Sequence, residues 1–171
     1  FGESHGHIAL EEYNMPMCIT AITRRKNAVV PSYISQVAPS ESSMIKRVAY
    51  EPLFLKHLRD ECNIKGVKKV SLHEPLTGLL RVTVVTCEEN MLHTEIWRSL
   101  YNAAFFKGDC SKICIAVNED IDVDNADALL WAISYRSNPV KDIKTVNFRG
   151  QGHGPKREHI GEEDSSLLID A

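Results

Sequence analysis

The chain contains 171 residues, 20 of them basic and 23 acidic, which gives a formal charge of −3. A chain of this length can bury the core of one domain or slightly more. The balanced charge gives no electrostatic basis for a nucleic-acid partner, and no apolar run approaches the roughly 20 residues that a helix needs to cross a bilayer. We therefore expect neither nucleic acid nor membrane as a partner.

The cysteines are odd in number and sit mostly in apolar surroundings: Cys18, Cys62, Cys87, Cys110 and Cys114. Such a set is typical of free thiols in a reducing compartment, so we expect a cytoplasmic protein. Cys110 and Cys114 are separated by three residues and no second pair matches them, which does not fit the spacing of a zinc site.

Residues 1–7 hold the densest group of side chains that can transfer protons. An extended backbone would send Glu3, His5 and His7 to the same side. A carboxyl group near glycines can be held in a closed site, where desolvation raises its pKa and leaves it able to deliver a proton. Two imidazoles and a carboxylate are also ligands for Zn²⁺ or Mn²⁺, so a metal-dependent hydrolase is one hypothesis and an ordinary surface carboxylate is another.

A β-hairpin is predicted directly after this stretch. Residues 17–24 and 28–35 are rich in residues that favour strands, and the polar turn Arg25-Lys26-Asn27 joins them. Residues 37–40 then break the pattern, and we place a domain boundary there.

From Ser40 onward, predicted helices and strands alternate. Ser40 can cap a helix with apolar positions at Ile45, Val48 and Leu58, and Pro52 must kink or restart this helix. The further predicted elements are strands over 67–72 and 79–86, a helix from Asn90 to Gly108, a strand over 112–117, a helix from residues 122–125 to Tyr135 and a strand over 143–148. This order predicts a layered α/β domain with a mixed or parallel sheet.

Residues 149–164 combine glycines and charges with little periodicity and are predicted to form a loop. The three glycines of the stretch 150–156 would let the backbone approach a ligand closely, while His153 and Lys156 could pair with a substrate hydroxyl or carboxylate. A surface loop without a ligand has the same composition, so both interpretations stay open.

Four short motifs, in order along the chain, resemble the UbiD-type reversible decarboxylases. Phe1-Gly2-Glu3, followed by residues 19–28, resembles the end of that family's Glu-Gly-Pro-Phe-Gly-Glu motif and the strand and turn after it. Residues 117–122 resemble its acidic turn, residues 130–139 its Trp-Ala-x-x-x-Arg-x-x-Pro helix end, and residues 168–171 its last segment. Because the chain opens on Phe and begins inside the first motif, we expect it to be the C-terminal portion of a longer protein.

The resemblance implies roles for individual residues. In the family, the glutamate at the position of Glu3 donates the proton that replaces the departing carboxylate. The segment after the helix end passes near the substrate, which makes His153, together with His5, a candidate for substrate binding. Arg136 matches the arginine at the helix end, whose backbone helps to hold a monovalent ion. An ordinary arginine beside the negative end of a helix dipole would look the same.

The implied cofactors are prenylated FMN, Mn²⁺ and K⁺, and the implied substrate is an aromatic or α,β-unsaturated carboxylic acid. The cofactor carries the electronic step, while protein groups position and protonate the substrate. Most of the family's cofactor ligands belong to a part of its sequence that this chain lacks, so we expect the chain alone to be inactive.

The expected organisation has three parts. Residues 1–38 end a β-rich cofactor domain, residues 39–148 form the α/β domain, and residues 149–171 form a loop-rich tail near the active site. In the family, the α/β domain buries its helices against another subunit. An assembly module that forms a homodimer or higher homo-oligomer, without catalysis of its own, is therefore the main alternative hypothesis.

Overall fold

A five-stranded sheet with helices on both faces forms the core, in a computed structural model that describes residues 16–32, 40–73, 81–108, 110–149 and 164–171. None of the helices in these ranges is long and apolar enough to cross a bilayer. In chain order, the elements are α1 (Glu41–Lys56), a π-helical turn (His57–Glu61), β1 (Val67–His73), β2 (Val82–Cys87), α2 (His93–Phe106), β3 (Ile113–Asn118), α3 (Ala126–Arg136), β4 (Ile143–Arg149) and β5 (Asp164–Asp170).

The strand order in the sheet is β1-β2-β3-β5-β4. Strands β2, β3 and β5 run parallel in the centre, whereas β1 and β4 pair antiparallel at the two edges. Helix α2 connects β2 to β3, as a parallel pair requires a crossover. The predicted α/β fold class with a mixed sheet is confirmed.

Different helices cover the two faces of the sheet. Cys114 and Ala116 of β3 pack with residues of α1 and α2 in one core cluster, while Ile115 and Val117 pack with residues of α3 in the other. Successive side chains of a strand point to opposite faces, so a strand that is buried on both faces carries a continuous apolar run. This is why β3 lacks polar alternation and could be predicted as a covered strand.

Helix α1 begins where the sequence predicts. The Ser40 hydroxyl accepts a hydrogen bond from the Ser43 backbone N–H at 3.2 Å, and the Ser43 hydroxyl accepts one from the Ser40 N–H at 3.0 Å. The two bonds form a capping box, which satisfies backbone donors that have no partner inside the helix. Beyond this cap, the helix continues through Pro52 to Lys56 without a restart.

The apolar stripe predicted for α1 is partly wrong. Ile45 and Val48 are 62% and 71% exposed, whereas Phe54 and Leu58 are fully buried. Only the C-terminal half of the helix lies over the core cluster that it shares with α2 and β1. The apolar residues of the first half therefore have no core beneath them among the described residues.

Residues 16–32 contain no strand, and every residue in that range is exposed. The predicted hairpin is therefore absent from the described part of the chain. Two strands alone are marginally stable unless another surface covers them, and nothing in the described ranges does so. Residues 33–35, the end of the predicted second strand, lie outside the described residues.

The C-terminal tail contains a strand that the sequence did not reveal. A loop-rich tail is predicted over residues 149–171, but Asp164–Asp170 forms β5 in the interior of the sheet, between β3 and β4. Leu168 is fully buried on one face, and Ile169 is buried on the other. The α/β unit thus includes residues beyond position 148, because two neighbouring strands pair with this segment.

Helices α2 and α3 begin in different ways. Residues 122–125 are predicted to cap α3, and in the structure the Asn125 side chain accepts hydrogen bonds from the N–H groups of Asp127 at 2.9 Å and Ala128 at 3.4 Å. Helix α2 begins at His93 rather than after the predicted cap Asn90, and its cap residue Leu92 provides no side-chain hydrogen bond. The side chain of His93 consequently lies at an uncapped helix start.

Candidate functional site

Most of the predicted site residues lie outside the described residues: Glu3, His5, His7, His153 and Lys156. Arg136 is the exception, and it is the last residue of α3. It lines a polar cleft of about 320 Å³ together with His93, Asn118, Asp142, Asp170 and Ala171. We call this cavity the strand-end cleft.

The sheet topology explains where the strand-end cleft forms. Asn118 is the last residue of β3 and Asp170 the last of β5, so both lie at the carboxyl ends of neighbouring parallel strands. The chain enters β3 from α2 on one face and leaves it towards α3 on the other. Ligands of open α/β sheets bind at such a point, where the connections diverge to opposite faces.

His93 is held at the edge of the cleft by an aromatic neighbour one turn later. The Trp97 indole N–H donates a hydrogen bond to His93 Nε2 at 2.8 Å, so this nitrogen carries a lone pair and the ring proton is on Nδ1. The Asp170 Oδ2 atom lies 3.3 Å from the same nitrogen. The Trp97 N–H thus occupies the lone pair of this nitrogen, and the Asp170 carboxyl group lies beside it.

Asp170 is the most perturbed acid of the cleft. Burial raises the pKa of its carboxyl group, the charge of Asp142 raises it further, and His93 opposes these two effects. Asp142 is fixed by its own contacts, because its carboxylate accepts a hydrogen bond from the Asn138 N–H at 2.7 Å and its carbonyl accepts one from the Asp170 N–H at 2.9 Å. The cleft therefore holds a carboxyl group that retains its proton to higher pH than an exposed aspartate.

The cleft has the side chains to bind a cation but not a flavin. Ligand atoms of His93, Asp142 and Asp170 lie within 4.8 Å of one another, and nitrogen with carboxylate oxygen is a donor set that divalent ions accept. A flavin mononucleotide carries an anionic phosphate, which two carboxylates would repel. The guanidinium that could offset them is already paired with Asp120. The strand-end cleft by itself therefore does not fit this cofactor.

Arg136 is engaged through its side chain. Its two terminal nitrogens donate to the two carboxylate oxygens of Asp120, one of them at 2.9 Å, and its guanidinium lies 5.2 Å from the centre of the Trp131 ring. The hydrogen bonds from Arg136 hold the pKa of Asp120 below its usual value. This arrangement ties the end of α3 to the turn after β3, and the predicted contribution of the Arg136 backbone to an ion site stays a prediction.

Sequence reasoning missed four residues of the cleft: His93, Asn118, Asp142 and Asp170. Asn118 and Asp170 each follow a short apolar run directly, and a polar residue at the end of a buried strand is the signal that could have found them. Assigning residues 164–170 to a loop hid that signal for Asp170. His93 and Asp142 carry no such signal, and only the fold brings them to the cleft beside Asn118 and Asp170.

Comparisons with known proteins agree with this architecture. The family described as the 3-octaprenyl-4-hydroxybenzoate carboxy-lyase C-terminal domain matches residues 43–171. None of the curated protein sequences matches the chain.

Several solved structures have a similar fold. The UbiD-class enzyme HmfF from Pelotomaculum thermopropionicum, in complex with FMN, has a TM-score of 0.62 and 18% identity over 75% of this chain and 27% of its own. The apo 3,4-dihydroxybenzoic acid decarboxylase from Enterobacter cloacae has a TM-score of 0.65 and 16% identity over 77% of this chain and 29% of its own.

A third similar structure is the vanillic acid decarboxylase of Sedimentibacter hydroxybenzoicus in its closed form, with a TM-score of 0.56 and 17% identity over 77% of this chain and 27% of its own. The chain thus spans just over a quarter of the length of these three proteins, and identities this low show the fold alone. The family match covers well over half of the chain. The chain therefore belongs to the family of UbiD-type carboxy-lyase C-terminal domains.

Proposed function

We propose that the chain is the C-terminal portion of a UbiD-like decarboxylase that acts on an aromatic or α,β-unsaturated carboxylic acid with prenylated FMN. The observation that carries this proposal is the family match over residues 43–171, the same residues that build the mixed sheet. Two solved structures of similar fold are complexes with FMN and with prenylated FMN, and two others are decarboxylases of hydroxylated aromatic acids.

The chain's own contribution to the reaction is the carboxyl group of Glu3. When bound, prenylated FMN takes up the electrons that remain as CO₂ departs. Glu3 then gives its proton to the substrate carbon that carried the carboxylate, which requires a pKa high enough to keep the acid protonated before that moment. His5 and His153 would bind the substrate by hydrogen bonds, and the Arg136 backbone would help to hold K⁺.

Replacing Glu3 in the complete, cofactor-loaded enzyme tests this role. We expect Glu3→Gln to lower the rate of CO₂ release by about 100-fold or more, because a positioned general acid contributes that much or more to a rate. Incorporation of deuterium from solvent into the product should fall with it. The matched control is Glu11→Gln, which removes a carboxylate from the same stretch and should keep both rates. Unchanged CO₂ release and deuterium incorporation in Glu3→Gln would refute the assignment.

A second function, assembly, has its own supporting observation. Helix α3 and the turn after it expose the apolar side chains of Leu130, Tyr135 and Val140, which are 62%, 78% and 90% accessible. Trp131 on the same helix is 47% accessible and stacks on Tyr135 with ring centres 5.7 Å apart, and exposed apolar side chains that pack together are candidates for an interaction site. We propose that a second copy of the protein covers it, and one structure of similar fold is described as an evolved dimeric form of its enzyme.

The oligomeric state of a charged variant tests the assembly proposal. Leu130→Glu places a charge in the exposed patch and should shift the sedimentation coefficient of the complete protein to that of a smaller species. Lys46→Glu, on α1, is the control and should leave the sedimentation coefficient unchanged. Identical sedimentation of wild type and Leu130→Glu would rule out this surface as the interface.

A further inference from the structure

A π-helical turn at the end of α1 brings three reactive side chains together. The Cys62 N–H donates a hydrogen bond to the His57 carbonyl at 2.9 Å, five residues earlier, instead of closing an ordinary helical turn. Turns of this type are rare and often occur at functional sites. Because the turn holds one extra residue, the side chains of His57, Glu61 and Cys62 lie beside one another.

His57 bridges the carboxylate and the thiol. Its Nδ1 atom lies 2.7 Å from Glu61 Oε2, and its Nε2 atom lies 3.4 Å from Cys62 Sγ. In the tautomer that carries its proton on Nδ1, the His57 imidazole donates to the Glu61 carboxylate and directs the Nε2 lone pair at the thiol. The His57 ring also stacks on Phe106, with ring centres 4.3 Å apart. Both contacts fix the orientation of the base.

The thiol has a second acceptor on α2. Cys62 Sγ lies 3.3 Å from Asn102 Oδ1, and the Asn102 amide nitrogen donates to the Arg98 carbonyl at 2.8 Å, which fixes the oxygen towards the sulfur. Arg98 in turn donates to the Cys62 carbonyl at 2.8 Å. Helix α2 therefore holds the cysteine backbone, and its Asn102 Oδ1 atom competes with His57 Nε2 for the single proton of the thiol.

The charges around Cys62 explain why it requires a base. Burial raises the pKa of the Cys62 thiol, the negative charge of Glu61 raises it further, and the positive charge of Arg98 opposes them. Arg98 is itself paired with Glu95. The sulfur consequently rests as a thiol at neutral pH, so it becomes a nucleophile only if its proton is removed as it reacts.

We propose that Cys62 is a nucleophilic thiol that small uncharged electrophiles modify covalently, with His57 as its base and Glu61 as the residue that positions His57. The proton of Sγ passes to His57 Nε2 while the sulfur electron pair attacks the electrophilic carbon. With iodoacetamide, the new S–C bond displaces iodide, and no electrons are exchanged with another reagent. Glu61 and Arg98 carry opposite charges beside the sulfur, which favours an electrophile without a net charge.

Alkylation of the native protein by iodoacetamide, followed residue by residue with peptide mass spectrometry, tests the proposal. All five cysteines lie in the described ranges and none forms a disulfide, and Cys18 is the exposed reference thiol. At pH 7, His57→Asn should lower the alkylation rate of Cys62 by about tenfold or more and leave the rate of Cys18 unchanged. Cys62 rates within twofold of each other in the two proteins would overturn the proposal.

The pH profile separates a base from a merely structural histidine. In wild type, the rate of Cys62 alkylation should begin to rise at lower pH than in His57→Asn, because imidazole takes the proton before hydroxide does. Glu61→Gln keeps a hydrogen-bond acceptor for Nδ1 but removes the charge, so its Cys62 rate should lie between the other two. If His57→Asn fails to fold, a wild-type rate and pH profile in Glu61→Gln overturn the proposal.

Discussion

Two aspartates of the described fold hold their protons to different pH values because their surroundings differ. Burial in the strand-end cleft raises the pKa of Asp170. The pKa of Asp124 is lowered instead, chiefly because its carboxylate accepts a hydrogen bond from Arg47 at 2.7 Å and also lies near Lys69. Opposite shifts predict opposite contributions to the pH dependence of stability.

Asp170→Asn should flatten the pH dependence of stability at acid pH. The folded state binds the Asp170 proton more tightly than the unfolded chain does. The stabilisation of the folded state by this group is therefore complete below pH 3.8, the ordinary pKa of an aspartate. That contribution falls as pH rises through 3.8 and is gone above the raised pKa. Urea unfolding measures the unfolding free energy at a series of pH values. As pH rises from 3.8 through the raised pKa, the Asp170 contribution to this free energy should be lost in wild type but not in Asp170→Asn. Parallel curves would contradict the raised pKa.

Asp124→Asn is the matched variant, for which the pH dependence of stability has the opposite sign. The lowered pKa of Asp124 contributes stability that is present above 3.8 and is lost as pH falls through the folded-state pKa. We expect Asp124→Asn to lose less than about 1 kcal/mol of unfolding free energy at pH 7, because surface ion pairs contribute little and this side chain is 55% exposed. Below the folded pKa of Asp124 the two proteins should have equal stability.

Individual residues are predictable where a local pattern defines them. Ser40 and Asn125 act as helix caps in the structure, as their positions before apolar helical patterns indicate. The cleft residues His93, Asp142 and Asp170 come from separate elements, and only the strand order brings them together. No fixed spacing in the sequence predicts that these residues lie close together.

Strand β5 shows why one element escaped prediction. Its first three residues, Asp164, Ser165 and Ser166, are polar and predict a loop. Three consecutive apolar residues follow them. Ser166 is nevertheless buried, because its hydroxyl donates a hydrogen bond to the Ser111 carbonyl at 3.1 Å. A polar residue that finds a partner across the sheet looks the same in sequence as one exposed to water.

Leu168→Ala tests the interior position of β5. This side chain is fully buried, and truncating a buried leucine leaves a cavity that costs about 2–5 kcal/mol of unfolding free energy. Val29→Ala, at a position that is 90% exposed and lies outside the proposed interface, is the control and should change stability by less than about 0.5 kcal/mol. Denaturant unfolding of both variants measures the difference. A cost for Leu168→Ala as small as that for Val29→Ala would contradict a central β5.

At the scale of the whole molecule, the sequence predicts the layered α/β class and the family, while the described structure supplies the sheet order and the strand-end cleft. The polar cleft does not fit a flavin, and the proposed proton donor Glu3 lies outside the described residues. The proposed reaction therefore depends on residues outside the folded α/β unit. The boundaries predicted at residues 38 and 148 stay predictions, apart from the inclusion of β5.

Decarboxylation by the complete protein and by this chain alone is the most direct test of that separation. Both are to be incubated with prenylated FMN, Mn²⁺ and K⁺ and a panel of aromatic and α,β-unsaturated acids, and released CO₂ is measured. We predict that the complete protein releases CO₂ from at least one acid and that the isolated chain releases none above the rate without protein. Turnover by the isolated chain, or none by the complete protein, would contradict the account.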